Sequence, residues 1–368
     1  MWKRAVAGLA SILLMGGCGS RSRSERAIGE AYVAPATINL RRELSSGNHE
    51  VVATAKRGER LQVLARRRVF VKVRTSAGLE GWTDGRLLFT PEQMADLRWL
   101  AEQAARLPCQ GIATTYTRLN LHTQPSRQAP SFYQMREGEH VEVVAHRLTP
   151  RNLSQALKES LQMGIQGPAD DWSLVRTKDG KAGWALFRML TMNVPDEVAQ
   201  YAEGHLITSY FSLGEVKDTD KVKPVWLWTT IAGGQQPYEF DSIRVFVWSL
   251  RRHRYETSYI ERNLEGYYPV VVLPPSAANK PPINRGSPAP QDFSGFSIIT
   301  REKDGRTYRR TYGFQGFRVR LINKELVNFS EPLFTRPAAS APELSESSTE
   351  SWRELFEKWI TRFWRRRH

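Results

Sequence analysis

Side chains that could perform catalysis are few and scattered. The seven histidines stand far apart in the chain, at His49, His122, His140, His146, His205, His253 and His368. No zinc-protease, P-loop or serine-hydrolase motif occurs, and no His/Cys cluster has metal-ligand spacing. A Cys/His hydrolase would need a cysteine followed by a suitably placed histidine, and Cys109 has no such context. The sequence therefore predicts no catalytic residue, no metal, no cofactor and no enzymatic activity.

Cys18 follows a segment typical of export. Two basic residues near the start precede an apolar run of eleven residues, 5–15, and the pair Gly16-Gly17 stands before the cysteine. The apolar run is too short to span a bilayer. The Gly-Gly-Cys ending resembles a bacterial lipobox, which implies that residues 1–18 are a lipoprotein signal peptide and that Cys18 is lipidated. An uncleaved signal anchor or an ordinary secretory signal is the alternative.

The lipobox resemblance also implies a location. A lipidated Cys18 would hold the chain at the cell envelope, facing the periplasm or the exterior, and Gly19 after it resembles lipoproteins sorted to an outer membrane where the cell has one. The polar and basic residues 19–31 predict a flexible tether. Only one other cysteine, Cys109, exists, so no intramolecular disulfide is expected once Cys18 is lipidated.

A stretch of about 30 residues occurs twice in the chain. GERLQVLARR at 58–67 matches GEHVEVVAHR at 138–147, and KVRTSAGLEGW at 72–82 matches LVRTKDGKAGW at 174–184. Apolar residues alternate with polar ones in both copies, which predicts short half-buried strands. The glycine-containing triplets before Gly-Trp predict hairpin turns. Each copy is therefore expected to form a small, strongly bent sheet or barrel.

The order of these elements resembles the bacterial SH3-type (SH3b) domain. The resemblance covers residues 32–90, here called repeat 1, and residues 111–192, here called repeat 2. It implies two small β-barrels, which in that family bind peptidoglycan peptides or other wall components, or serve as spacers. Trp82 and Trp184 are the candidates for a ligand groove, although a tryptophan after the turn glycine more often belongs to a core.

Helices are predicted beside the repeats. Residues 91–110 follow a capping box and carry apolar residues at spacings of three and four, which predicts an amphipathic linker helix. A shorter helix is expected at 193–204. The distance from Gly to Trp is 24 residues in repeat 1 and 46 in repeat 2, so repeat 2 holds an insertion of 22 residues. Its pattern over 149–170 predicts a helix that either covers its own barrel or forms a partner surface.

The rest of the chain differs from the repeats. Residues 205–333 predict a third, β-rich domain with seven strands between Val225 and Ile322. One strand face in it carries alternating basic and aromatic residues, namely Arg306, Tyr308, Arg310 and Tyr312. This face is either a surface for an anionic glycan or a solvated sheet face.

The C-terminal region predicts a linker and a helix. Residues 334–351 are rich in Ala, Pro, Ser and Glu, as flexible linkers are. Residues 352–368 predict an amphipathic basic helix that lies on a membrane or docks on a partner. The residues expected to make that contact are aromatic or basic, namely Trp352, Trp359, Phe363, Trp364, Arg365, Arg366 and Arg367.

The motifs and the resemblance to SH3b domains together imply a mainly β protein of two SH3-like barrels, linking helices, a third β-rich domain and a C-terminal amphipathic helix. The net charge of +15 favours anionic partners. The function predicted is a membrane-anchored, non-enzymatic envelope lipoprotein whose tandem SH3b domains bind peptidoglycan or another anionic envelope polymer. The alternative is a scaffold that binds envelope proteins and has no wall ligand. Export makes nucleic acid an unsuitable partner.

Overall fold

The computed structural model describes residues 25–44, 50–150, 169–233, 236–275, 294–315, 317–330 and 334. The signal peptide with Cys18, residues 19–24 of the tether, most of the insertion and the C-terminal helix with its seven candidate residues lie outside these ranges. The described chain is mainly β, as predicted. Within it, no helix is both long and apolar enough to cross a membrane.

Repeat 1 and the strand before it form one seven-stranded antiparallel sheet. Its strands are β1 Gly29–Val33, β2 Thr37–Arg41, β3 Val51–Lys56, β4 Arg60–Arg67, β5 Phe70–Arg74, β6 Glu80–Asp84 and β7 Leu88–Phe89. The strands lie in the order β3-β2-β6-β5-β4-β1-β7. Alternating side chains such as Leu61, Val63, Val71 and Val73 point to one side and are almost fully buried in a small core.

Repeat 2 forms a second sheet with the same topology. Its strands are β8 Gly111–Thr115, β9 Leu119–His122, β10 Ser131–Met135, β11 His140–Pro150, β12 Ala169–Arg176, β13 Ala182–Leu186 and β14 Leu190–Met192. Their order is β10-β9-β13-β12-β11-β8-β14, so each strand has a counterpart in repeat 1. The duplicated sequence thus corresponds to a duplicated sheet.

The glycine of each Gly-Trp pair permits two strands to cross closely. A Cβ atom at Gly81 would lie 2.8 Å from the Leu40 Cβ atom, and one at Gly183 would lie 2.8 Å from the Phe132 ring and 3.0 Å from the Leu121 Cβ atom. Only a residue without a side chain fits there, since core packing leaves no free space. The repeated Gly-Trp motif is therefore a consequence of the bend that closes each sheet.

Two helices connect the sheets. Helix α1, Pro91–Arg106, begins at a capping box in which Thr90 and Gln93 exchange hydrogen bonds, and it ends four residues before the predicted end at 110. The Arg176 guanidinium donates to the carbonyl of Ala104 at 2.8 Å, which satisfies a backbone acceptor at the end of this helix. Helix α2, Asp196–Ala199, continues as one 3-10 turn and lies within the predicted range 193–204.

The predicted helical insertion at 149–170 has different ends from those expected. Strand β11 continues to Pro150 and strand β12 begins at Ala169, and Thr149 pairs with Asp170 across them. The prediction that a helix starts at 149 and ends at 170 is therefore wrong at both ends, because alternating side chains extend the hairpin. Residues 151–168 lie outside the described residues.

The third region contains two four-stranded antiparallel sheets that share one core. The first holds β15 Leu206–Asp218, β16 Lys221–Ile231, β17 Ser242–Ser249 and β18 Arg254–Glu261. The second holds β19 Glu265–Leu273, β20 Gly295–Arg301, β21 Thr307–Gln315 and β22 Arg318–Leu326. The shared core includes Leu227 and Val245 from one sheet and Phe296 and Tyr312 from the other. Strand β15 is an eighth strand that the sequence did not predict.

The predicted basic and aromatic face of β21 is not a uniform solvated surface. Tyr312 is fully buried, and the Arg310 side chain is 15% exposed. Arg310 pairs with Glu261 at 2.7 Å, and the Tyr312 hydroxyl donates to the same carboxylate at 2.8 Å. Only the Arg306 end of this face is exposed. Arg310 and Tyr312 therefore join the two sheets through Glu261 of β18.

Candidate functional site

The outer side of repeat 1 contains an open groove centred on Trp82. One cavity of about 430 Å³ is lined by residues that include Asn39, Phe70, Trp82 and Asp84. A second cavity of about 680 Å³ adjoins it and shares Phe70, Trp82, Glu43 and Leu44 with the first. We call the combined space the Trp82 groove. It is concave and aromatic, as binding sites for small molecules and polymer segments commonly are.

Two strands and two turns build this groove. Trp82 lies on β6, and Phe70 is the first residue of β5, opposite Asp84. One wall is the tight turn between β4 and β5, where Arg68 takes a left-handed conformation with φ of 55°. The other wall begins at Glu43 and Leu44, in the loop whose ends are joined by the Arg42–Glu50 ion pair at 2.7 Å. The aromatic rings are thus held by the sheet, while loops form the edges.

The walls of the Trp82 groove combine apolar and cationic groups. Phe70 is 38% exposed, a large fraction for an aromatic side chain. Arg67 and Arg68 line the groove and are exposed, and neither forms an ion pair within the described part of the chain. Asp84 accepts from Arg86, whose guanidinium lowers the pKa of this carboxyl. The groove therefore offers stacking surfaces next to two guanidinium groups that can bind an anionic ligand.

The counterpart of this groove in repeat 2 is closed. The strand pairing places Trp184 where Trp82 lies, and Trp172 where Phe70 lies. Trp184 is fully buried and Trp172 is 1% exposed. The prediction that Trp184 lines a ligand groove is therefore wrong, whereas Trp82 does line one.

The strands that carry Leu174 and Trp184 are also the ones that lie next to helix α1. The helix packs against β12 and β13, and its Leu100 and Ala104 are buried. Trp184 is paired on the sheet with Leu174, whereas Trp82 is paired with Lys72, which forms ion pairs with Glu25 and Glu80. The outer face of repeat 2 is therefore apolar at Leu174, which favours packing of a helix against it. The same face of repeat 1 carries the charged Lys72, which disfavours such packing.

The loop after β9 is bonded to the hairpin of β11 and β12, of which β12 carries Trp172. Arg127 donates two hydrogen bonds to Asp170, at 2.6 and 2.8 Å, and the Asp170 side chain is 7% exposed. The Thr149 hydroxyl donates to the carbonyl of Pro125 at 3.0 Å, so the loop after β9 is tied to both strands of the extended hairpin. Thr149 and Asp170, at the two described ends of the insertion, are the partners of this loop.

Repeat 2 is also fixed to the third region through a charged histidine. The His146 ring contacts Asp171 through Nε2, and its Nδ1 atom lies 3.6 Å from the Glu239 Oε1 atom. Burial alone lowers the pKa of His146, but the hydrogen bonds and charges of the two carboxylates outweigh it and raise the pKa to about 10. His146 is therefore a buried imidazolium at neutral pH. Sequence reasoning missed this cluster because Glu239 lies far along the chain.

Hydrogen bonds between uncharged groups also join repeat 2 to the third region. Gln110 is fully buried, and its side-chain amide accepts from Val270 N at 2.9 Å and donates to Val270 O at 3.4 Å. The backbone of Tyr210 donates to Gln110 O at 3.0 Å. The side-chain amide and the backbone carbonyl of Gln110 are thereby hydrogen-bonded, as buried polar groups generally are. Repeat 2 acts as the attachment point of the third region.

Comparisons with known proteins give limited matches. No protein-family model matches the chain, and no curated protein matches it either. Similar solved structures include an NlpC/P60 family protein from Bacillus cereus, at 11% identity and a TM-score of 0.20, over 51% of this chain and 65% of that one. NlpC2 from Trichomonas vaginalis is similar at 10% identity and a TM-score of 0.16, over 65% of this chain and 98% of that one. The chain thus spans about two thirds of the first of these.

These neighbours correct one prediction. NlpC/P60 is a cell-wall-associated peptidase family, which contradicts the prediction that the chain is not an enzyme. The prediction that the chain has no enzymatic activity is therefore wrong as it stands. TM-scores of 0.15 to 0.20 are too low for the likeness to assign a reaction or a residue role.

Metal-binding clusters and reactive thiols are two further features that would bear on chemistry in the described ranges. No group of three or more His, Cys, Asp or Glu residues there is arranged to hold a metal ion. Cys109 is a free thiol whose Sγ atom lies 3.5 Å from Gly111 O, and burial raises its pKa.

Proposed function

We propose that the chain is a cell-envelope lipoprotein, anchored through Cys18, that binds a cell-wall polymer in the Trp82 groove. The observation that carries the proposal is the difference between two copies of one sheet. In repeat 1 Phe70 and Trp82 line an open groove, whereas the equivalent Trp172 and Trp184 of repeat 2 are buried. Leaving large aromatic rings in contact with water is unfavourable, so an exposed Phe70 beside a half-buried Trp82 in a concave site is typical of binding.

The chemistry of the groove suits peptidoglycan. The polymer combines sugar rings, which have apolar faces, with peptide stems that carry carboxylates. Trp82 and Phe70 offer planar surfaces for the sugars, and Arg67 and Arg68 offer guanidinium groups for the carboxylates. The net charge of +15 adds attraction to an anionic wall. The proposal thus assigns wall binding to repeat 1 and a structural role to repeat 2.

A sedimentation assay with purified, insoluble peptidoglycan tests this proposal. We expect the full-length chain to pellet with the polymer, and Trp82→Ala to weaken the apparent affinity at least fivefold in a titration with polymer, since loss of a stacked aromatic ring costs about 1–3 kcal/mol. Tyr116→Ala is the matched control, because Tyr116 is 75% exposed and lies in repeat 2, away from the groove. Equal retention of all three proteins, or retention of none, rejects the proposal.

The lipid anchor is tested separately. Metabolic labelling with palmitate is expected to label the wild type and not Cys18→Ala. Labelling that persists in the variant excludes Cys18 as the modified residue, without bearing on the groove.

Scaffolding within an envelope assembly is the second candidate. The observation in its favour is that repeat 2 uses its outer face and one edge to hold α1 and the third region. This role predicts protein partners that still co-purify with the chain after lysozyme has digested the wall. Loss of every partner upon digestion excludes it.

A further inference from the structure

A small cleft lies on the outer face of the first sheet of the third region, far in sequence from the Trp82 groove. Its cavity is about 140 Å³, enough for several water molecules or a small ligand. The floor is formed by side chains of β16, β17 and β18, and Tyr201 to His205 form one side. Two of its lining residues are arginines, Arg244 and Arg262.

Arg244 is a largely buried cation with a distant counterion. Its side chain is 15% exposed, and its guanidinium lies over the rings of Tyr201 and Phe246 at 5.3 and 4.9 Å. Nη1 donates to Tyr201 O at 3.1 Å and Nε donates to the Thr257 hydroxyl at 2.8 Å. The nearest carboxylate is that of Glu203, at 3.9 Å and 65% exposed.

This arrangement leaves the positive charge poorly neutralised. Buried charges are stable when they are paired closely, and a contact at 3.9 Å to an exposed side chain is weak. Burial lowers the pKa of Arg244, and the neighbouring Arg262 lowers it further, while Glu203 raises it. Arg262 is exposed and forms no ion pair within the described residues. Two guanidinium groups therefore share one cleft in which the carboxylate of Glu203 is held only loosely and that of Asp241 accepts a hydrogen bond from the backbone of Ala232.

We infer that this cleft binds a small carboxylate, such as that of an organic acid or of a peptide end. Glu203 already brings a carboxylate to within 3.9 Å of Arg244, and a free carboxylate can displace it and bind more closely. Asp241 lines the same cavity, where it accepts from the backbone of Ala232 at 2.8 Å. Its negative charge disfavours a doubly charged phosphate. Ser242 and Thr230 in the lining offer hydroxyl groups for the second oxygen.

Titration of the full-length chain with sodium acetate at constant ionic strength tests the inference. Backbone amide signals in NMR spectra, or heat in calorimetry, are expected to report saturable binding to one site. Arg262→Gln is expected to weaken acetate binding at least fivefold, and Glu203→Gln to strengthen it at least twofold, because the competing carboxylate is removed. Both residues are exposed, so neither substitution is expected to unfold the protein. Phosphate is expected to bind more weakly than acetate.

Arg320→Gln is the matched control, since Arg320 is exposed on the other sheet and has no ion pair in the described part of the chain. It is expected to leave acetate binding unchanged. Saturation at one site with the expected order of the two variants supports the inference. Absence of saturable binding, equal effects of Arg262→Gln and Arg320→Gln, or stronger binding of phosphate overturns it. None of these outcomes depends on whether the Trp82 groove binds the wall.

Discussion

Stability of the fold should depend on the charge of His146, and replacing this residue with alanine tests that dependence. His146 is 13% exposed and contacts Asp171, with Glu239 on its other side, and both carboxylates belong to separate elements. Removal of the imidazolium leaves two carboxylates facing each other in a partly buried space. Loss of one partner from a buried ion pair costs about 3–5 kcal/mol. We expect His146→Ala to lower the free energy of unfolding by that amount at pH 6.

The pH dependence follows from the raised pKa. In the unfolded chain the pKa of His146 is 6.5, and in the folded protein it is about 10. A group whose pKa is higher in the folded state stabilises the fold fully below the unfolded pKa, and this contribution disappears as the pH rises through the folded pKa. At about 1.4 kcal/mol per pKa unit, the contribution should fall by about 2 kcal/mol between pH 6 and pH 8.

Urea unfolding at pH 6, 7, 8 and 9, followed by tryptophan fluorescence, measures this effect. The difference between wild type and His146→Ala should shrink steadily as the pH rises. His205→Ala, at an exposed histidine, should follow the wild type at every pH. A constant difference between wild type and His146→Ala across this range would refute the reasoning, because it would mean that the pKa of His146 is the same in the folded and the unfolded state.

Three further predictions concern the sheets. Gly183→Ala should lower the free energy of unfolding, measured with urea, by about 1–3 kcal/mol, since its Cβ atom would lie too close to Phe132 and Leu121. Gly29→Ala, at a glycine with open space around it, should change this free energy little. Equal effects of the two substitutions would contradict the close approach of the strands at Gly183. Arg127→Ala should cost about 1–3 kcal/mol because it removes two charge-assisted hydrogen bonds to the buried Asp170. Arg42→Ala, in the exposed pair of repeat 1, should have little effect, and the reverse order would contradict the role given to the Arg127–Asp170 pair. Tyr312→Phe should lower the free energy of unfolding by about 1–2 kcal/mol, because it removes a hydrogen-bond donor to Glu261. An unchanged midpoint in urea unfolding would show that this hydrogen bond does not stabilise the fold.

The duplicated sheet was predictable from the sequence because its signals are local. Alternating apolar residues and turn glycines predict the strands of both repeats, and the repeat itself predicts that they share an order. The capping box at Thr90 and Gln93 also predicts where α1 begins. By contrast, strand β15 was not predicted, because its buried positions include the polar residues Thr208 and Ser209, which break the apolar alternation. Their hydroxyl groups form hydrogen bonds with the Thr229 hydroxyl.

The closed state of repeat 2 depends on tertiary packing. Nothing near Trp184 in the sequence reports that α1 lies against its strand. One signal was present, since Leu174 stands where repeat 1 has Lys72, and an apolar residue on an outer strand face indicates a cover. The pairing of His146 with Glu239 has no such local signal, because it joins a strand of repeat 2 to a loop of the third region far along the chain. Sequence reasoning therefore found Trp82 but could not tell an open groove from a filled one.

Photo-crosslinking at position 70 tests the central claim most directly. A full-length chain that carries p-benzoylphenylalanine in place of Phe70 is irradiated with purified peptidoglycan, and a chain with the same group in place of Tyr116 serves as the control. The account predicts covalent attachment of wall fragments at position 70 and none at position 116, with loss of attachment when Trp82→Ala is added. Attachment at neither position, or equal attachment at both, contradicts the assignment of wall binding to the Trp82 groove.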